Sequence, residues 1–162
     1  MRTNFKKWFI IIGITIAVIA GIVGIMYNNA QKPYEKAKMT AVQEAKERTA
    51  LTEVEEVYLY NGTTAYYTVT GKDKSGQNVA VWIAEDGKSE PVLKPLAQGV
   101  TEKEARALFR EESGKAEILT LTLGMEKETP VWLFTFKNDK GKLNYYYLSF
   151  EDGKWWRKVE NI

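Results

Sequence analysis

Twenty consecutive positions, Trp8 to Tyr27, carry no formal charge and read WFIIIGITIAVIAGIVGIMY. A helix rises about 1.5 Å per residue, so such a run covers roughly the 30 Å hydrocarbon core of a bilayer. Arg2, Lys6 and Lys7 precede it, and a polar stretch, residues 28–162, follows. A cleaved signal peptide shares the basic start. Its apolar region is shorter, about 7 to 15 residues, and small residues must precede the cut. Here the pairs Ala20/Ile22 and Gly24/Met26 each contain a large residue, and Asn28-Asn29-Ala30 fits poorly. The absence of Cys removes a lipid-modified anchor. Residues 8–27 therefore read as an uncleaved transmembrane anchor.

Plain counting does not orient this anchor, because Lys32, Lys36 and Lys38 nearly balance the three cations on the other side. The positive-inside bias acts through short loops, however, and a long domain crosses largely regardless of its charge. The expectation is a single-pass protein of the cell membrane, with residues 1–7 cytoplasmic and everything after the span extracytoplasmic.

The chain carries 23 Lys and Arg and 21 Asp and Glu. All acids but only 20 of the bases follow the span, so that part is close to neutral and is no electrostatic trap for nucleic acid. With no His and no Cys, Cys/His zinc sites, imidazole bases, thiol nucleophiles and disulfides are all excluded. Packing alone must hold an outer domain of this composition, which suits a bacterial surface.

Shifting the chain by 66 residues places Asp73-Lys74 on Asp139-Lys140 and Glu85-Asp86-Gly87-Lys88 on Glu151-Asp152-Gly153-Lys154. The same shift pairs Tyr66 with Trp132, Val81 with Tyr147 and Leu93 with Val159. Two copies of one unit are implied, covering 28–98 and 99–162. Each copy opens with a helix. In the second, Thr101-Glu102-Lys103-Glu104 has the form of a capping box, with Ala105, Leu108 and Phe109 on one face and Glu111 to Gly114 ending the helix. In the first, Tyr34, Ala37, Ala41 and Ala45 form a small-residue stripe over Pro33 to about Thr49.

The period then changes from helical to two, as in Leu119, Leu121 and Leu123. Residues 64–72, 78–84, 130–137 and 142–150 read as further strands, rich in Tyr, Trp, Val and Phe and separated by Gly-containing turns. The fold class is α+β: a transmembrane helix, then two repeated units of one helix on three or four antiparallel strands. Units so small bury little surface alone, so the two are expected to pack together.

No residue pattern carries catalysis or a cofactor. Asp73, Asp86, Asp139 and Asp152 all sit in hairpin turns, and no calcium-loop spacing joins them, so no metal ligand is assigned. Gly71 to Gly76 has the glycine spacing of a phosphate loop but lacks the Lys-[Ser/Thr] and the helix that should follow. Neither a G-x-S-x-G elbow nor an S-x-x-K pair surrounds any serine. Asn61-Gly62-Thr63 matches a glycosylation acceptor, but Asn-Gly is also a strong hairpin-turn dipeptide, and the turn reading wins unless the host is eukaryotic. The expected chemistry is binding.

Among the aromatic residues Trp82, Trp132 and Phe134 read as core. Trp156 stands apart, sharing a strand face with Lys158 and Glu160 and aligning with polar Glu90, whereas Trp155 runs with Val159. Trp156, Arg157 and Lys158 are thus the candidate partner-binding residues, and packing of Trp156 on the other copy is the competing account. Within the span Gly13, Ala17 and Gly21 recur every four residues, a face on which another membrane helix could pack.

These features resemble the TseB-like cell wall elongation regulators of Gram-positive bacteria. The resemblance runs from the basic start and single span through Tyr66-Tyr67-Thr68-Val69-Thr70-Gly71 and Val81-Trp82-Ile83 to Gly99-Val100-Thr101-Glu102 and Trp132-Leu133-Phe134-Thr135-Phe136. It implies PepSY-like, cystatin-like units outside the cell and a noncatalytic role in peptidoglycan synthesis. The partner it implies is a penicillin-binding transpeptidase or another elongation-machinery protein. PepSY-like units also occur in protease propeptides, so a membrane-tethered modulator of a secreted peptidase is the alternative. A third possibility is a sensor of wall fragments.

Overall fold

The computed structural model describes residues 3–160; Arg2, counted above among the flanking cations, lies outside them. The chain divides into two compact units, residues 1–39 and 40–162.

The first unit is helical. Helix α1 (Thr3–Arg48) contains the apolar run, whose mean hydropathy reaches 2.8 over an 18-residue window with no buried residue. It is a candidate single membrane span by length and composition. Pro33 lies inside α1, so the helix expected to begin there is the last part of α1 rather than a separate element. Proline removes one backbone donor and crowds the preceding turn, yet the helix bonds formed on both sides of it carry the chain through.

In the second unit the closing turns of α1 bury Ala41 and Ala45, two members of the small-residue stripe. Arg48 ends the helix, paired with Glu44 one turn back and with Glu90 at 2.5 Å. Four strands follow, β1 (Leu51–Asn61), β2 (Ala65–Asp73), β3 (Asn78–Ala84) and β4 (Val92–Pro95), all antiparallel in sequential order. A short 3-10 turn leads to α2 (Glu102–Ser113), and the pattern repeats with β5 (Glu117–Glu126), β6 (Thr129–Lys137), β7 (Leu143–Ser149) and β8 (Trp155–Val159). The unit is α+β with two four-stranded antiparallel sheets.

Helix α2 starts as its sequence dictates. The Thr101 hydroxyl accepts from the Glu104 amide while Glu104 accepts from the Thr101 amide at 2.9 Å, and Gly114 closes the helix onto the Arg110 carbonyl. Ala105 and Phe109 are buried, whereas Leu108, expected beside them, is 37 % exposed at the margin of the packed face.

The strand registers revise the repeat. Val69 lies opposite Val81 in the first sheet, and Phe134 lies opposite Tyr146 in the second, an offset of 65 (69 to 134, 81 to 146). The turns agree. Asp73 accepts from the amides of Ser75 and Gln77 as Asn138 does from those of Lys140 and Lys142, so Asn138, not Asp139, is the counterpart of Asp73. The 66-residue shift holds at Asp86 and Asp152, because the second of these turns closes from Gly153 to Ser149 and the first only from Gly87 to Ala84. One inserted residue therefore explains the mismatch, and a one-residue slip exchanges sheet faces. Val81 corresponds to Tyr146 rather than Tyr147.

Two clusters join the sheets, a smaller one of Tyr60, Val131 and Tyr147 and a large one. Trp82 and Ala80 pack with Leu123, Met125, Trp132 and Phe150, and the same cluster runs on to Phe109, which stacks on Phe134 at 4.4 Å between ring centroids. Both core indoles are satisfied: Trp82 donates to the Gly124 carbonyl at 2.9 Å and Trp132 to the Val100 carbonyl at 2.8 Å. Trp82, Trp132 and Phe134 are thus core, as expected. Tyr60 of β1 lies over Gly124 so closely that a Cβ there would sit 2.2 Å from the ring. Of the leucines expected on one buried face, only Leu123 is fully buried. A bulge between Ile118 and Thr120 leaves Leu119 41 % exposed.

Candidate protein-binding surface

Strand β8 forms one edge of the second sheet. Its ladder with β7 runs Tyr145 to Val159, Tyr146 to Lys158 and Tyr147 to Arg157, then slips so that Leu148 faces Trp155. Trp156 is the extra residue of a bulge, and alternation fails there. Both indoles consequently emerge, Trp155 at 63 % exposure and Trp156 at 40 %.

The turn before β8 fixes where they stand. Asp152 accepts from the Lys154 amide at 3.1 Å and pairs with its ammonium at 2.7 Å. These two contacts from Lys154, with Ser149 adding a third, draw the Asp152 carboxyl down to about 2. Gly153 adopts φ +66°, and a Cβ there would lie 2.6 Å from Leu108 Cδ1. Exposed Leu108 therefore adjoins the turn that leads into the two tryptophans. Leu108 of α2 and Trp155 and Trp156 of β8 are all exposed, and Lys154 stands in the sequence between that turn and the tryptophans.

The two cations expected to act with Trp156 are already engaged. Arg157 lies over the Tyr147 ring, 4.4 Å from its centroid, and 3.9 Å from the carboxylate of Glu126. The guanidinium is held protonated chiefly by its interaction with Tyr147. Lys158 pairs with Glu160 at 2.8 Å. Sequence reasoning missed Trp155, which the alternation rule turned inward with Val159. The legible warning was the run Lys154-Trp155-Trp156-Arg157-Lys158, whose adjacent tryptophans one regular strand cannot place on one side.

In the first unit Ala17 is exposed, and a Cβ added to Gly13 or Gly21 would meet nothing within 4 Å. The face is open to close approach by another helix.

Comparison with known proteins agrees with this architecture. Residues 40–84 match the family model described as the cell wall elongation regulator TseB-like domain. Over 154 residues, 95 % of this chain and 96 % of the relative, the sequence is 27 % identical to the Bacillus subtilis (strain 168) protein named probable cell wall elongation regulator TseB. The solved structure of the YpmB protein from Bacillus subtilis superposes with a TM-score of 0.69 at 28 % identity, covering 75 % of this chain and 94 % of that one. The family match falls on the end of α1 and the first three strands, and the full-length match extends the likeness through the second sheet, so the chain is similar along nearly its whole length to the cell wall elongation regulator TseB-like proteins.

Proposed function

We propose that the protein is a noncatalytic, membrane-anchored, extracytoplasmic regulator of cell wall elongation. It acts by binding a protein of the elongation machinery, such as a penicillin-binding transpeptidase. The observation that carries this reading is the match along nearly the whole chain to a relative named a probable cell wall elongation regulator. The N terminus stays in the cytoplasm, the run from Trp8 to Tyr27 crosses the membrane, and two PepSY-like units lie outside. Anchoring raises the effective concentration of a membrane-bound partner, so a modest contact suffices.

Docking uses side chains at the start of β8. Trp155, Trp156 and Leu108 supply the apolar centre, and tryptophan anchors of this kind dominate binding energy at protein interfaces. Arg157 and Lys158 form the rim, where their existing partners must be retained or exchanged.

A photo-crosslinking residue placed at Trp155 or Trp156 of the full-length protein in its own membrane tests the proposal. A cell wall synthesis protein is expected among the adducts. Trp155→Ala/Trp156→Ala should lose capture by a separately placed crosslinker at Leu108 while keeping the thermal midpoint. Adducts free of any cell wall synthesis protein would sink the reading. Survival of the carboxyl-terminal part when intact protoplasts are treated with protease would do the same.

A further inference from the structure

A cavity of about 470 Å3 opens between the end of α2 and the ends of β6, β7 and β8. Its volume lies inside the range of about 300 to 1,000 Å3 typical of small-molecule sites. We propose that it binds a small zwitterion of the amino-acid or short-peptide kind.

The lining is apolar and polar in a specific order. Phe136, 3 % exposed, and Asn144, 1 % exposed, form its buried part. The Asn144 amide is held in place by donating to the Lys142 carbonyl at 2.6 Å. Ser113, the last residue of α2, lines the cavity, and its hydroxyl is withdrawn from solvent with no hydrogen-bond partner in the protein. A buried hydroxyl without a partner is unfavourable, and a ligand polar group in the cavity would relieve it.

The rim selects the charge type. Lys115, Lys137 and Lys158 are matched by Glu117, Asp139 and Glu160, a formal sum of zero. An isolated anion would meet three carboxylates and an isolated cation three ammonium groups. A molecule with one charge of each sign finds a partner for both, while its side chain rests on Phe136. Lys158 and Glu160 also belong to or adjoin β8, and their 2.8 Å pair is the one a ligand carboxylate would open. The cavity shares Lys158 with the rim of the tryptophan patch but none of its apolar centre, Leu108, Trp155 and Trp156, so failure of ligand binding would leave partner capture through the tryptophans untouched.

Calorimetric titration of the full-length protein in detergent micelles, with alanyl-alanine in L,L and D,D forms as probes, tests this site. Saturable binding of at least one form is expected. N-acetyl-alanyl-alanine, which lacks the ammonium group, and alanyl-alanine amide, which lacks the carboxylate, should each bind about tenfold more weakly, the effect of one lost charge pair. Ser113→Ala should weaken the dipeptide about fivefold without lowering the thermal midpoint, and Lys137→Glu about tenfold. Absence of saturation with both dipeptides overturns the proposal. So does equal affinity for all probes together with indifference to Lys137→Glu.

Discussion

Tyr60 donates its phenolic hydrogen to the carboxylate of Glu126, and both residues are buried, at 1 % and 3 % exposure. Tyr60 comes from β1 and Glu126 from the end of β5, so this bond ties one sheet to the other. Arg157 stands 3.9 Å from the same carboxylate and supplies the nearest opposite charge. Tyr60→Phe leaves that buried carboxylate short of a donor. A destabilisation of about 1–3 kcal/mol is expected in urea unfolding of the full-length protein, since an unsatisfied buried acceptor costs its desolvation. A change below the error of the measurement would mean that water replaces the phenol.

Alkaline titration should single out the same residue. Burial, reinforced by the bond to Glu126, raises the Tyr60 phenol well above its ordinary value, and burial with a bond to Glu56 does so for Tyr58. A raised folded value means the unfolded chain loses its protons first. The stabilisation is complete below about pH 10 and is lost as pH climbs beyond it. Phenolate absorbance from exposed tyrosines should therefore rise before Tyr58 and Tyr60 ionise. The thermal midpoint should fall from about pH 9 to about pH 11, less steeply in Tyr60→Phe.

Removing the cap of α2 has a separate effect. Thr101→Ala deletes the hydroxyl that accepts from the Glu104 amide, leaving only the backbone half of the reciprocal pair, and should cost about 1 kcal/mol. Thr101→Ser should retain most of it. Comparison of the two in thermal unfolding distinguishes the hydroxyl from the methyl group.

A stabilised variant is also within reach. The two-residue turn between β5 and β6 places Lys127 at φ 48° and Glu128 at φ 65°, a left-handed conformation that is costly for both side chains. Asn-Gly is the preferred dipeptide for such a turn. Lys127→Asn/Glu128→Gly should stabilise the protein by about 1 kcal/mol, read as a higher urea midpoint.

Much of this architecture is written in short-range signals. The Thr101 to Glu104 box, the Asn78–Ala84 strand and the Gly-containing turns are each set by neighbours in sequence, and the structure places them as their patterns require. What failed was cumulative register. A strand with two apolar faces, such as β3, gives no internal mark of which face is which, so an offset taken from turn motifs carried an error of one residue into the strands. Bulges were equally silent, and those in β5 and β8 turned Leu119 and Trp155 outward. Nor was the first strand apparent, since Thr52, Glu53, Glu55 and Glu56 mask the apolar alternation of β1, whose pairing with β2 slips twice. The exposure of Trp156 was legible from its polar neighbours on the strand face. The engagement of Arg157 with Tyr147 and Glu126 depends on three strands meeting in space, which no local pattern encodes.

The irregularity at Trp156 also governs what cannot attach to the molecule. A straight outer strand bearing two uncovered indoles would be a ready template for runaway stacking of copies into fibres. The extra residue breaks the rhythm of amides and carbonyls along that border, so the sheet ends where it does while its tryptophans remain available. Stickiness at this rim is thereby confined to side chains, and many copies can crowd together without their sheets fusing.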